Sequence, residues 1–195
     1  MADYPAHLRH ESSLADGRRV TVRPIRPEDD AGEREFFDHL SDQTKRLRFL
    51  KFAEALNENL IHFFTHVDYE RHMAFVCEHQ GRLVGEARYV VNPDGRSCEF
   101  GVVIADDWRH SGIAALLMEA LIGCARARGL ETLEGLVLAA NTNMLDFVAE
   151  LGFELEPQPY EPPLVRVVKR LRDNQPSSGQ SCSGSSTEAS SLRGR

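Results

Sequence analysis

Arg109, His110, Ser111 and Gly112 stand directly before a clean apolar stripe in the stretch WRHSGIAALLMEALIGCA (108–125). With Ile113 and Ala114 they fit R-x-x-G-x-A. Backbone N–H groups at the start of a helix have no partners inside the helix, and the helix dipole adds positive charge there, so such a turn binds anions. Gly112 allows close approach and unusual dihedrals, and Arg109 adds positive charge. His110 contributes its backbone N–H to the same turn. In physical terms the six residues form a pyrophosphate cradle, although alone they also suit a helix start that holds no ligand. The G-K-[ST] ending of a P-loop is missing, and so are the first two glycines of the dinucleotide fingerprint.

The elements that must carry this turn follow from periodicity. Ile113, Leu116, Leu117, Ala120, Leu121 and Cys124 recur at helical spacing behind it. SCEFGVVIA (97–105) reads as the strand in front of it. HMAFVCEH and RLVGEARYVV read as two further strands joined at Gln80-Gly81, a hairpin signal, and NPDG (92–95) as the next turn. Downstream, LETLEGLVLAA supplies a strand, NTNMLDFVAELGF a short helix ending at Gly152, and LVRVVKRL a last strand. Upstream, RRVTVRPIRPEDD gives a strand and then a helix with Pro27 in its first position and acidic residues at its dipole. Phe36, Phe37 and Leu40 form its buried face. A second helix starts near Ser41, its N-cap, and carries Leu47, Phe49 and Leu50. A third, over 57–66, carries Leu60, Ile61, Phe63 and Phe64. This order predicts a mixed α/β domain. From Asp173 on, the Ser/Gly-rich chain is nearly devoid of large apolar residues and is predicted to be a disordered tail. The expected division is therefore a domain over 1–172 and a tail over 173–195.

Composition narrows the chemistry. The chain has 195 residues and a formal net charge of −7, which argues against nucleic acid as the main partner and suits a basic one. The longest apolar stretch is broken by Glu119 and is too short to span a membrane. No signal peptide is read at the N-terminus. Cys77, Cys98, Cys124 and Cys182 lack paired spacing, and the first three lie in apolar segments, which implies a reducing, cytosolic setting. The eight histidines form no metal-binding pattern, so no metal is expected. His62, His66 and His72 read as surface residues, Trp108 as packing for the loop, and Asp106 and Asp107 as solvent-facing or turn-holding.

Taken together, EFGVVIADDWRHSGIAALLMEAL and, after one strand, NTNMLDFVAELGF resemble the GNAT superfamily of acyl-CoA-dependent N-acetyltransferases. VTVRPIRPEDD, LSDQTKRLRF and CEFGVVIADDWRHSGIA are most similar to the acetyltransferase domain of bacterial protein lysine acetyltransferases. The likeness covers roughly residues 18–170. It implies a mixed, mostly antiparallel twisted sheet with a splayed central strand pair and flanking helices. It implies acetyl-CoA as acyl donor, its pyrophosphate on residues 109–114 and its pantetheine arm along Val102, Val103 and Ile104. Asn141 and Met144 match the start of the later short helix, and LGF (151–153) matches the closing signature.

The resemblance also places a catalytic glutamate at Glu99, beside the apolar run FGVVIA, where burial would raise a carboxylate toward a useful range for taking a proton from an amine. Glu99 equally suits an exposed strand end. Many members carry a tyrosine acid where this chain has Val148. The lysine acetyltransferase-like members tend to lack it, and a thiolate of thiol pKa near ~8.5 leaves without help. A protein lysine is the expected acceptor. A small amine, a protein N-terminus, or a non-catalytic acyl-CoA sensor remain as alternatives.

Overall fold

A computed structural model describes residues 3–49, 57–159 and 163–172. Eight strands form one sheet: β1 (His10–Ser13), β2 (Arg19–Pro24), β3 (His72–His79), β4 (Arg82–Val91), β5 (Ser97–Ile104), β6 (Thr132–Leu138), β7 (Glu154–Gln158) and β8 (Leu164–Arg170). Their order is β1-β2-β3-β4-β5-β6-β8-β7. Every pairing is antiparallel except β5 with β6. The helices are α1 (Asp30–Asp38), α2 (Asp42–Phe49), α3 (Glu58–Thr65), α4 (Ile113–Ala127) and α5 (Thr142–Glu150). The expected mixed, mostly antiparallel architecture is what the chain adopts.

The sequence explains most of these elements. Gln80 and Gly81 both take positive φ, 51° and 80°, as a two-residue hairpin turn requires. Pro27 opens a short 3-10 turn, Pro27–Asp29, that leads into α1 rather than starting the helix itself. Phe36, Phe37 and Leu40 are buried as expected. The Ser41 hydroxyl accepts from Thr44 N at 3.3 Å and caps α2. Leu50 and the side chain of Phe49 lie outside the described residues, as does the predicted tail. Gly152, at φ 77°, ends α5.

Helix α4 buries a broader face than the predicted stripe, with Met118, Ile122 and Ala125 joining Ile113, Leu117, Leu121 and Cys124. The reason is that α4 lies on the middle of the sheet: Tyr89 of β4 reaches Cys124, 3.7 Å away, and a Cβ on Gly85 would meet Ile113 and Leu117 at 3.1 Å. Cys77, Cys98 and Cys124 are buried. Burial pushes the thiols of Cys77 and Cys98 up to about 12, so they behave as small hydrophobes.

Three expectations fail. Phe63 is 50% exposed rather than packed in the core. His72 is buried at 8% rather than on the surface, because its strand position lies beneath α3 and Phe63 stacks on its ring at 4.7 Å. Strands β1 and β7 were not anticipated from their sequences, HESS and ELEPQ. Both are edge strands, where polar side chains and a proline such as Pro157 are tolerated.

Candidate active site

Strands β5 and β6 are paired over three rungs, Ser97–Thr132, Cys98–Leu133 and Glu99–Glu134. Beyond Glu99 they part. β5 runs on to Ile104 and β6 to Leu138 with no bond between them. A cleft of about 700 Å³ opens there. Each edge keeps its outer partner, β4 on one side and β8 on the other, so the opening costs pairing only along the inner edges.

All twelve residues singled out from the sequence line this cleft: Glu99, Val102, Val103, Ile104, Arg109, His110, Ser111, Gly112, Ile113, Ala114, Asn141 and Met144. Gly112 has φ 92°, and a Cβ built on it would meet nothing within 4 Å. His110 also takes positive φ, 59°. Gly112 O accepts from Ala115 N at 3.1 Å and Leu116 N at 3.2 Å, starting α4. Ser111 Oγ donates to Trp108 O at 2.6 Å and holds the turn. Among the described residues, the N–H groups of His110, Gly112 and Ala114 find no acceptor, the arrangement an anion would complete. Asn141 caps α5, its side-chain oxygen accepting from Met144 N at 3.4 Å.

Arg109 is tied back to the protein. It pairs with Asp106 at 2.7 Å and donates to Thr44 Oγ1. Asp106 in turn accepts from Ser41 N at 2.8 Å and Thr44 Oγ1 at 2.6 Å. Partial burial would raise the Asp106 carboxyl, but these hydrogen bonds from Thr44 and Ser41, with Arg109 alongside, hold it below the usual carboxylate range. Asp106 therefore fastens the cradle to α2. Trp108 is buried, with Arg18 3.7 Å above its ring, and it packs the loop as expected.

Glu99 differs from expectation in its surroundings. It is exposed rather than enclosed by apolar neighbours, because it occupies the last shared rung and faces the open side of the sheet. It also lines a second, smaller cavity of about 230 Å³ together with Glu134, Gly135, Leu136, Gln158 and Arg166. Glu99, Gly135 and Leu136 line both openings, and of these three Glu99 alone carries an ionisable side chain. Val148, where a tyrosine acid would stand, is fully buried.

Behind the cleft lies a polar cluster that periodicity could not show. Arg88 of β4 donates to Glu86 through Nε at 2.6 Å and through a second nitrogen. It also donates to Phe64 O at 3.2 Å and His72 Nε2 at 3.0 Å. Burial first, and then the Glu86 charge, push Glu33 well above its ordinary range. Burial also works to raise Glu86, but Arg88 outweighs it and holds Glu86 low. Arg48 of α2 lies flat against Gly101, where any Cβ would collide with its guanidinium. The only sequence signal for this group is alternation broken by charge in GEARYVV.

The family model of the GNAT acetyltransferases matches residues 34–153. An acetyltransferase of Pseudomonas aeruginosa, PA5475, is 37% identical over 163 residues, covering 82% of this chain and 87% of its own. The chain belongs to the GNAT acetyltransferase family. Among solved structures, the GNAT domain of S. lividans PAT superposes with a TM-score of 0.79 at 26% identity, over 86% of this chain and 99% of its own. YncA from Salmonella typhimurium, a putative acetyltransferase solved with its cofactor acetyl-CoA, gives 0.67 at 18% identity, over 80% and 96%. GNAT enzymes use acetyl-CoA as acyl donor, so this GNAT member is an acetyl-CoA-dependent N-acetyltransferase. No group of histidine, cysteine or acidic side chains suited to a metal occurs among the described residues, and no described helix is long and apolar enough to cross a membrane.

Proposed function

We propose that this GNAT enzyme transfers acetyl from acetyl-CoA to the side-chain amine of a protein lysine, with Glu99 as general base. The observation that carries the reading is the position of Glu99 where the larger cleft meets the smaller cavity. The donor occupies the cleft. Its pyrophosphate sits on the turn 109–114, where free N–H groups and the α4 dipole offset its charge. Its pantetheine arm runs along Val102, Val103 and Ile104, whose inner edge has no strand partner, and Asn141 and Met144 close the opposite wall. The acceptor reaches Glu99 from the smaller cavity.

A lysine amine titrates near ~10.4 and is mostly protonated at neutral pH, so transfer requires that a proton be removed before nitrogen attacks the thioester carbonyl. Glu99 takes that proton, directly or through one water. The C–N bond forms, the C–S bond breaks, and coenzyme A leaves as a thiolate that takes up the second nitrogen proton as the amide forms. A protein acceptor is supported by the resemblance along LSDQTKRLRF and CEFGVVIADDWRHSGIA to lysine acetyltransferase domains, and by the net charge of −7, which favours a basic partner.

The test is incubation of a soluble protein extract with the enzyme and isotopically labelled acetyl-CoA, followed by mass spectrometry. Label on lysine Nε atoms, absent without enzyme, is the expected result. Label confined to protein N-termini or to small amines would contradict the lysine assignment.

A further inference from the structure

The sheet has one open face beside Glu99, and the strand register shows what stands on it. A single line of paired residues crosses five strands: Val90 of β4, Glu99 of β5, Glu134 of β6, Val168 of β8 and Glu154 of β7. Paired residues share a face. Along β6 the alternation is regular: Leu133, Gly135 and Val137 are buried, while Leu136 is exposed and Thr132, Glu134 and Leu138 are partly so. At the other end of the line, Val90 pairs with His72, on which the exposed ring of Phe63 stacks.

Two features of this face stand out. First, of the four exposed large hydrophobic side chains among the described residues, Phe63, Val90 and Leu136 flank Glu99 on this one side, at 50%, 38% and 42% exposure. His72, on which Phe63 stacks, lies two strands from Glu99 along this line, or ~10 Å. Second, the face is acidic. Glu99, Glu134, Glu154 and Glu156 stand against Arg166 and Arg170. Arg166 is taken up by Glu134 and by Glu156 at 2.6 Å, and Arg170 lies 3.7 Å from Glu154. Asn92 Nδ2 fixes the other Glu134 oxygen at 2.8 Å. Scattered single apolar residues on a surface are ordinary; apolar residues grouped around a reactive carboxylate mark a contact surface.

We infer that this face, from Phe63 across Val90 and Glu99 to Leu136 and the β7 carboxylates, is the docking surface for a polypeptide acceptor. The acceptor presents a lysine to Glu99 with apolar and basic residues around it. The inference rests on the proposal that the enzyme acetylates protein lysine. Two observations select a polypeptide. The surface is continuous with the cavity that opens on Glu99, and its excess of carboxylates complements a basic segment. A free amine would fill the 230 Å³ cavity and leave Phe63 and Glu154, at the two ends of the line, without a contact.

Phe63→Ser and Glu154→Lys test the surface, since both positions lie outside the two cavities. Radiolabelled acetyl-CoA is supplied with either Nα-acetyl-lysine methylamide or an undigested soluble protein extract. Phe63→Ser should reduce incorporation into protein about tenfold. Glu154→Lys should reduce it several-fold, with a larger effect at low salt. Both should retain their rate on the small amine and their calorimetric affinity for acetyl-CoA. Unchanged protein labelling, or an equal loss on both probes, would overturn the docking surface while leaving the lysine reading intact. If the unaltered enzyme labels the small amine and no protein, both fall. Should Phe63→Ser fail to fold, Glu154→Lys decides alone.

Discussion

His72 Nε2 lies 3.0 Å from Arg88 Nη1, and because the guanidinium can only donate, the imidazole must accept and stay neutral there. Burial, reinforced by the Arg88 charge, brings its pKa down to about 4. The unfolded chain regains an ordinary value near ~6.5 and binds a proton that the folded state refuses. Stability is therefore fully present above about pH 6.5 and is lost as the pH falls toward 4, by up to about 3 kcal/mol. His72→Gln keeps an acceptor for Arg88 and does not titrate. Urea unfolding of the two forms between pH 4 and 7 should show a slope in the native chain that the variant largely lacks; identical slopes would mean that His72 is accessible to protons in the fold. At this scale the sequence reveals residue types but not their company. Glu99 was identifiable through the family likeness, while its exposure depends on where two strands part. The Glu33–Glu86–Arg88 group joins three residues from two elements, and no spacing along one element indicates it.

The turn into α4 shows what an element imposes. Its glycine was legible because a left-handed residue before a helix calls for one, and Gly112 does take φ 92°. Gly112→Ala should cost about 1–2 kcal/mol from left-handed strain, and it should weaken acetyl-CoA binding by turning the N–H groups of the cradle. Paired urea titration and calorimetry would check both; full affinity in a folded variant would remove the turn from the donor site. Strands with regular alternation, and helices starting at Ser41 and Asn141, were equally legible. Strands β1 and β7 were not, because each is held by pairing with a neighbour rather than by burying a face of its own. The divergence of β5 from β6 has no local signal either. It depends on each strand keeping an outer partner, which is a property of the sheet.

For the whole molecule, the described chain is fixed to its final residues. Leu171 is buried and its N–H donates to Glu131 O at 2.8 Å. Arg172 donates to Gly129 O at 2.9 Å and pairs with Glu131 at 3.2 Å. The residues after it are Ser/Gly-rich and have little apolar surface to bury. A chain ending at Arg172 should retain its melting temperature and its acetyl-CoA affinity. A fall of several degrees would show that residues 173–195 pack on the domain. At this scale the family likeness gave the architecture correctly, and the open acidic face became visible only once the register across β4, β5, β6, β8 and β7 was known.

In the proposed reaction Glu99 acts on the acceptor amine and not on the donor. Glu99→Gln preserves size and removes the base. Acetyl transfer to a lysine substrate identified by labelling, followed across pH for both forms alongside calorimetry with acetyl-CoA, measures this. A general base at Glu99 predicts unchanged donor affinity, turnover lower by roughly 10²–10⁴-fold near neutral pH, and a smaller deficit at high pH, where more of the amine is already neutral. Full turnover by Glu99→Gln near neutral pH would contradict it.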